Sequence, residues 1–210
     1  MGRRKAPVPD TSPPGRVRIV AGKWRGRRLP VPDVPGLRPT PDRIRETLFN
    51  WLAPRLEGAR CLDLFAGTGV LGFEALSRGA REVLFVERSP VAVRALERAA
   101  AALGATGARI HAGDARELLQ GGGPGTYDVA FLDPPFDPAG GDRLTELCRL
   151  LAEGRWLAPG AVVYLERGGG EPEPSLPEGW QTMREKRAGN VRYSLVLAGG
   201  GAGQAREEQR

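Results

Sequence analysis

The sequence is poor in residues that crosslink or ligate. Its 210 residues include two cysteines, Cys61 and Cys148, and one histidine, His111. The cysteines lie far apart, each in an apolar run, which excludes a disulfide framework or zinc ribbon and fits a reducing compartment. We read both as buried fillers. His111 lacks the neighbours that a metal ligand or catalytic base needs, so it reads as structural and no metal is expected. No stretch approaches the ~18 uninterrupted apolar residues of a membrane helix. Met1–Gly15 is basic and Pro-rich but has no apolar core of a secretory signal. A cytoplasmic monomer without membrane contact is the expectation. Thirty glycines and 19 prolines stay below the low-complexity range, and 40% hydrophobic with 27% charged residues is ordinary for a folded chain. The length suits one domain with appendages.

Acid is scarce at one end. Residues 1–60 hold 14 Lys/Arg against 5 Asp/Glu, a net +9, so the remaining 150 residues carry the balance of the overall +6, a net −3. The excess concentrates in Arg16, Arg18, Lys23, Arg25, Arg27 and Arg28, with Trp24 among them and no acid between. Such a patch attracts phosphates by releasing their counterions, and an aromatic beside it offers a surface to an unpaired base. The alternative is a solvated basic strand in an Arg-rich chain.

Four units follow from the pattern. Residues 1–15 read as a disordered basic tail, 16–54 as a basic arm with a covering helix, 55–197 as the main domain, and 198–210 as a flexible tail. In the arm, Arg16–Ala21 alternates like a half-exposed strand, and Gly22–Arg28 turns back into Leu29–Val31. Thr40 reads as an N-cap with Pro41 at the first helical position. The apolar spacing of Ile44, Leu48, Trp51 and Leu52 continues that helix to about Pro54.

From residue 60 short apolar runs alternate with helical stretches. Strands are expected at 60–64, 82–86, 108–111, 127–132 and 161–166. Helices are expected at 70–77, 90–103, 115–119 and about 141–153. This is the signature of βαβ units and a parallel sheet. Residues 180–186 and 191–197 then flank a turn at 187–190 as a closing hairpin.

The run Leu62-Asp63-Leu64-Phe65-Ala66-Gly67-Thr68-Gly69-Val70-Leu71-Gly72 ends the first core strand in G-x-G-x-x-G. Such a loop brings backbone close to a ligand at the carboxyl ends of the strands. Glu87, at the end of the second strand, stands where an acid accepts from ribose hydroxyls. A nucleoside cofactor is expected, and nicotinamide and S-adenosylmethionine enzymes share the geometry. The fourth strand discriminates between them. It ends in Asp133-Pro134-Pro135-Phe136, a rigid turn that aims a carbonyl and a carboxylate, both acceptors, at one point. Two acceptors suit the two hydrogens of an exocyclic amino group, and Phe136 offers a face to a planar base.

These blocks, together with Arg18–Leu29 and Leu37-Arg38-Pro39-Thr40-Pro41-Asp42-Arg43-Ile44-Arg45-Glu46-Thr47-Leu48-Phe49-Asn50-Trp51-Leu52, resemble in order the RsmD family of class I S-adenosylmethionine-dependent methyltransferases. The resemblance covers about residues 17–197. It implies an α/β, Rossmann-like fold: a seven-stranded, mostly parallel sheet with helices on both faces and an antiparallel C-terminal hairpin. The implied reaction is methylation of N2 of one guanine, conventionally guanine 966, in bacterial 16S ribosomal RNA, free or in an assembling small subunit. By position, Thr40, Asp63, Phe65, Ala66, Gly67, Thr68, Gly69, Glu87, Arg88, Asp114 and Ala115 would hold S-adenosylmethionine. Asp133, Pro134, Pro135 and Phe136 would hold the guanine. Arg16, Arg18, Lys23, Trp24, Arg25, Arg27, Arg28, Arg38 and Arg43 would grip RNA. Arg45 reads evenly as an RNA contact or a solvated charge.

Three other readings compete. A short-chain oxidoreductase would want Tyr-x-x-x-Lys, but Phe131, Gly168 and Leu197 stand four residues after Tyr127, Tyr164 and Tyr193. A binding protein with a vestigial pocket would not need Asp63, Glu87, Asp114 and Asp133 all in place. DNA adenine methylation shares the amino-group chemistry; against it stand the shortness of the chain and the N-terminal blocks.

Overall fold

A computed structural model describes residues 15–136 and 143–199. Most of both expected tails, and the start expected for the helix near residue 141, lie outside the described residues.

Seven strands form one sheet: β3 (Arg60–Asp63), β4 (Glu82–Glu87), β5 (Ala108–Ala112), β6 (Tyr127–Leu132), β7 (Leu157–Gly168), β8 (Gln181–Ala188) and β9 (Val191–Leu197). Their order is β5-β4-β3-β6-β7-β9-β8, with β9 antiparallel to both neighbours and the other six strands running one way. The chain starts the sheet in the middle at β3, builds outward through β4 and β5, then returns to the far side of β3 with β6. A crevice therefore opens at the carboxyl ends of β3 and β6, where ligands of doubly wound sheets bind.

Strand alternation sorts the side chains. Cys61, Val83, Phe85, Val129, Phe131, Val162 and Tyr164 enter one core, with α1 (Asp42–Leu56), α2 (Val70–Ser77) and α3 (Pro90–Leu103) against them. Leu62, Val86, Ala130, Leu132, Val163 and Leu165 enter the other, beneath α4 (Ala115–Gln120) and α5 (Arg143–Glu153). Period-two alternation then carries Asp63, Glu87, Asp133 and Glu166, at the carboxyl ends of four strands, to the α1–α3 face.

The arm differs from its expected form. Strands β1 (Arg16–Arg18) and β2 (Arg28–Pro30) pair antiparallel over three residues each. β1 stops short of Ala21 because the Val20 and Ala21 amides donate to the Glu74 carboxylate of α2, at 2.7 and 2.9 Å, rather than to a strand. Gly22 (φ 80) seals this docking: a Cβ there would lie 1.8 Å from the Ser77 carbonyl oxygen. Val17, Ile19, Trp24 and Leu29 share one core with α1 and α2, so the arm is packed onto the main domain.

Other boundaries shift for identifiable reasons. Pro41, not Thr40, occupies the N-cap of α1, and no side chain caps this end. The Thr40 hydroxyl is engaged elsewhere. Pro54 lies within the last turn rather than ending the helix, since α1 runs on to bury Leu56. β7 begins at Leu157, with an irregularity in its pairing to β6 between Tyr127 and Val129. The closing hairpin tightens to a two-residue turn, with Gly189 at φ 60 in the position where a type II′ turn wants glycine.

Candidate active site

The glycine loop links β3 to α2 across the crevice. Its Ala66 amide donates to the Val86 carbonyl (3.0 Å), and Gly69 turns the chain at φ 75 as the N-cap of α2. A Cβ at Gly69 would lie 2.5 Å from Leu96 and 2.7 Å from Phe73, so this loop closes only with glycine. The Glu87 carboxylate accepts from the Gly67 amide (2.8 Å) and the Ser89 amide (2.7 Å), which aligns it along the loop. Asp63, 3% exposed, accepts from the Gly72 amide at 3.1 Å. Asp114 caps α4 through the Arg116 and Glu117 amides and thereby fixes Ala115, its first, buried residue. Phe65 is half-buried, Thr68 is buried, and Arg88 is exposed beyond Glu87.

The turn after β6 faces this loop. Asp133 is partly exposed and accepts a hydrogen bond from the buried Thr40 hydroxyl at 3.1 Å. Pro134 is buried, Pro135 exposed, and Phe136 offers an exposed ring, 47% accessible. Thus the structure brings Thr40, expected at the cofactor, to the acceptor that was expected to hold the guanine.

Carboxylates crowd this edge. Burial pushes Asp63 up to about 7, with Asp133 and Glu87 repelling its charge. Burial raises Asp133 to about 6, and the Thr40 hydroxyl pulls it back by bonding the charged form. Beside Asp133 across the sheet stands Glu166, one step beyond the Leu132–Leu165 pair; it accepts from the Tyr164 hydroxyl at 2.5 Å. Burial and the Asp133 charge push Glu166 up to about 8. Among the described residues no cluster of His, Cys, Asp or Glu is arranged to hold a metal ion, and no helix is long and apolar enough to cross a membrane.

The expected RNA contacts divide. Arg16, Lys23, Arg25, Arg28, Arg38 and Arg43 are exposed. Arg18 pairs with Asp42 (3.0 Å), and Arg27 donates to the Ala102 carbonyl (3.1 Å), so both also brace the arm. Trp24 is a correction. Its ring is 8% exposed within the core, because docking of the arm on α2 covers it, so it presents no face to a base. Trp51 is half-buried and stacks on Tyr193 with centroids 5.6 Å apart.

Two buried pairs carry no sequence motif: Arg45 with Glu74, and Tyr164 with Glu166. Arg45 is fully buried, neither an RNA contact nor a solvated charge. The signal existed: Arg45 heads the stripe Arg45, Phe49, Leu52, Leu56 on the core face of α1, and Glu74 stands inside the apolar run of α2.

We expect Glu87→Ala to weaken S-adenosylmethionine binding about ten- to a hundredfold, the worth of charge-assisted hydrogen bonds, as read by calorimetry.

The sequence matches the family described as conserved hypothetical protein 95 over residues 17–197. It is 46% identical over 188 residues to ribosomal RNA small subunit methyltransferase D of Escherichia coli, covering 89% of this chain and 92% of that protein. The solved structure of the Escherichia coli methyltransferase yhhF superposes with a TM-score of 0.80 at 43% identity, covering 88% of this chain and 99% of that one. An RNA methyltransferase of Salinibacter ruber, solved with S-adenosyl-L-homocysteine, shares the fold at 20% identity and a TM-score of 0.55. From the match across nearly all of the sheet domain and its arm, the chain belongs to the conserved hypothetical protein 95 family, the RsmD family of S-adenosylmethionine-dependent methyltransferases.

Proposed function

We propose that this protein transfers a methyl group from S-adenosylmethionine to the exocyclic N2 of guanine 966 of 16S ribosomal RNA. The observation that carries this reading is Asp133, held by Thr40 at the crevice beside the glycine loop, with Phe136 exposed next to it. A curated relative is a ribosomal RNA small subunit methyltransferase, which supports the substrate class.

The residues present fit the cofactor. Glu87 is ordered by two backbone amides, Gly69 lets the loop close onto Leu96 and Phe73, and the crowded carboxylates favour a ligand bearing ammonium and sulfonium charges. Glu87 would accept from its ribose, the Asp63–Gly69 loop would line its methionine end, and Asp114 with Ala115 would border its adenine. Bound there, S-adenosylmethionine supplies an electrophilic methyl carbon. Asp133 and a backbone carbonyl of its turn would accept the two N–H bonds of the guanine amine. An aryl amine is a poor nucleophile because its lone pair is delocalised into the ring. Acceptors placed out of the best plane favour a pyramidal nitrogen with its lone pair turned towards the methyl. Positioning and electrostatics then carry the rate. Asp133 need not be a strong base, since the product ammonium is acidic enough to lose its proton to water or carboxylate. Phe136 would stack on the extruded base.

The exposed cations of the arm would hold phosphates. Reversing Arg25, Arg27 and Arg28 to Glu should weaken RNA binding and flatten the slope of log K against log salt by about 0.7 to 0.9 for each phosphate no longer neutralised. Cofactor affinity should stay constant; an unchanged salt slope would return the segment to a solvated surface. The function itself is tested by transfer of labelled methyl to small subunits lacking the modification, with the nucleoside identified by mass spectrometry. N2-methylguanosine at one site is the expected product; methylated adenine in DNA or no RNA product would overturn it.

A further inference from the structure

One buried network joins the arm to the acceptor. Glu74 is 0% exposed and accepts four bonds: from the Val20 and Ala21 amides of the arm, from Arg78 Nε at 2.8 Å, and from Arg45 Nη1 at 3.3 Å. Arg45, also 0% exposed, spreads its guanidinium over three acceptors: Glu74, the Asp42 carboxylate, and through Nε the Thr40 carbonyl at 3.1 Å. Thr40 sits between Pro39 and Pro41, just outside α1, so no helical amide takes its carbonyl; Ile44 and Arg45 bond that of Pro41 instead. Its hydroxyl donates to Asp133. A planar fork that bonds carbonyl and carboxylates together holds an angle that a point charge does not.

We infer that Arg45 is a positioning residue for the methyl transfer. Braced by its ion pair with Glu74, it fixes the Thr40 backbone and so aims the Thr40 hydroxyl at Asp133. The inference rests on the role proposed for Asp133. The same ion pair anchors the arm, so one buried pair sets both the arm and the reacting edge.

The test compares Arg45→Lys, Thr40→Val, the double variant, and Arg78→Gln as a control that removes another Glu74 partner without touching Thr40. Two readouts are taken. The first is the titration of the Asp133 carboxyl by carbon NMR in the full chain without ligands, among its titratable neighbours Asp63, Tyr164 and Glu166. The second is methyl transfer at saturating substrates.

Arg45→Lys and Thr40→Val should each raise the Asp133 midpoint and lower kcat about ten- to a hundredfold, with KM for S-adenosylmethionine held. The double variant should be no slower than the slower single. Arg78→Gln should lower Tm but leave the Asp133 titration and kcat in place. If Arg45→Lys does not fold, Arg45→Met with Glu74→Gln leaves no uncompensated buried charge and should give the same two effects. An Asp133 midpoint unmoved in the Arg45 variant, or losses that multiply in the double variant, would overturn the inference. A moved midpoint with unaltered kcat would instead overturn the role of Asp133, and with it Arg45's part in the reaction.

Discussion

Asp133→Ala should keep S-adenosylmethionine binding and lose methyl transfer by about 10²- to 10³-fold, the usual cost of removing a group aimed at the transition state. The reason is placement. Asp133 lies on the crevice edge, partly exposed, fixed by Thr40, and its acceptor is needed most when the amine becomes pyramidal. Calorimetry checks the first half and single-turnover transfer the second. The wild type should also show an acid limb. With Asp133 raised to about 6, protonation below that pH replaces an acceptor by an O–H donor, so kcat/KM falls as pH drops through about 6. Asp133→Asn keeps one acceptor oxygen and cannot titrate, so it should be slow but without this limb. Full turnover in Asp133→Ala would remove the residue from the mechanism.

Glu74→Leu should cost about 3 to 5 kcal/mol of stability, because it takes the fully buried carboxylate away from a buried guanidinium. Arg45 would lose its buried partner, and the Val20 and Ala21 amides would lose their acceptor. Burial already pulls Arg45 down from the usual guanidinium range while Asp42 and Glu74 pull it back up, so removing Glu74 leaves the partly exposed Asp42 alone to offset burial. For a chain of this size the midpoint of thermal unfolding should fall on the order of 10 °C. The arm should also loosen, visible as faster amide exchange at Val20 and Ala21. Replacing Asp42, which is partly open to solvent and pairs with Arg18 and Arg45, by Asn should cost less, because Glu74 still faces the buried guanidinium.

Much of this fold is legible in the order of residues. Short apolar runs of about six residues alternating with amphipathic ones require a parallel sheet covered on both faces, and the described strands follow that plan. The glycine loop, Glu87 and Asp133 are legible for a related reason. Each stands at the carboxyl end of a strand, a position that local pattern alone marks.

Residues whose neighbours come from elsewhere in the chain are not legible in this way. Trp24 looked like a surface aromatic among cations, and only the docking of the arm on α2 buried it. Thr40 looked like a helix cap, yet its hydroxyl found Asp133, 93 residues away. Arg45 reads as an RNA contact or a solvated charge, yet packing of α1 on α2 joins it to Glu74 as a buried ion pair.

The strand and helix plan, the glycine loop and the acids that end the strands follow from the order of residues, because periodicity and turn chemistry are local. The tertiary structure alone decided which charges are buried and which donor each acceptor meets. Those depend on distances between segments that no spacing along the chain encodes.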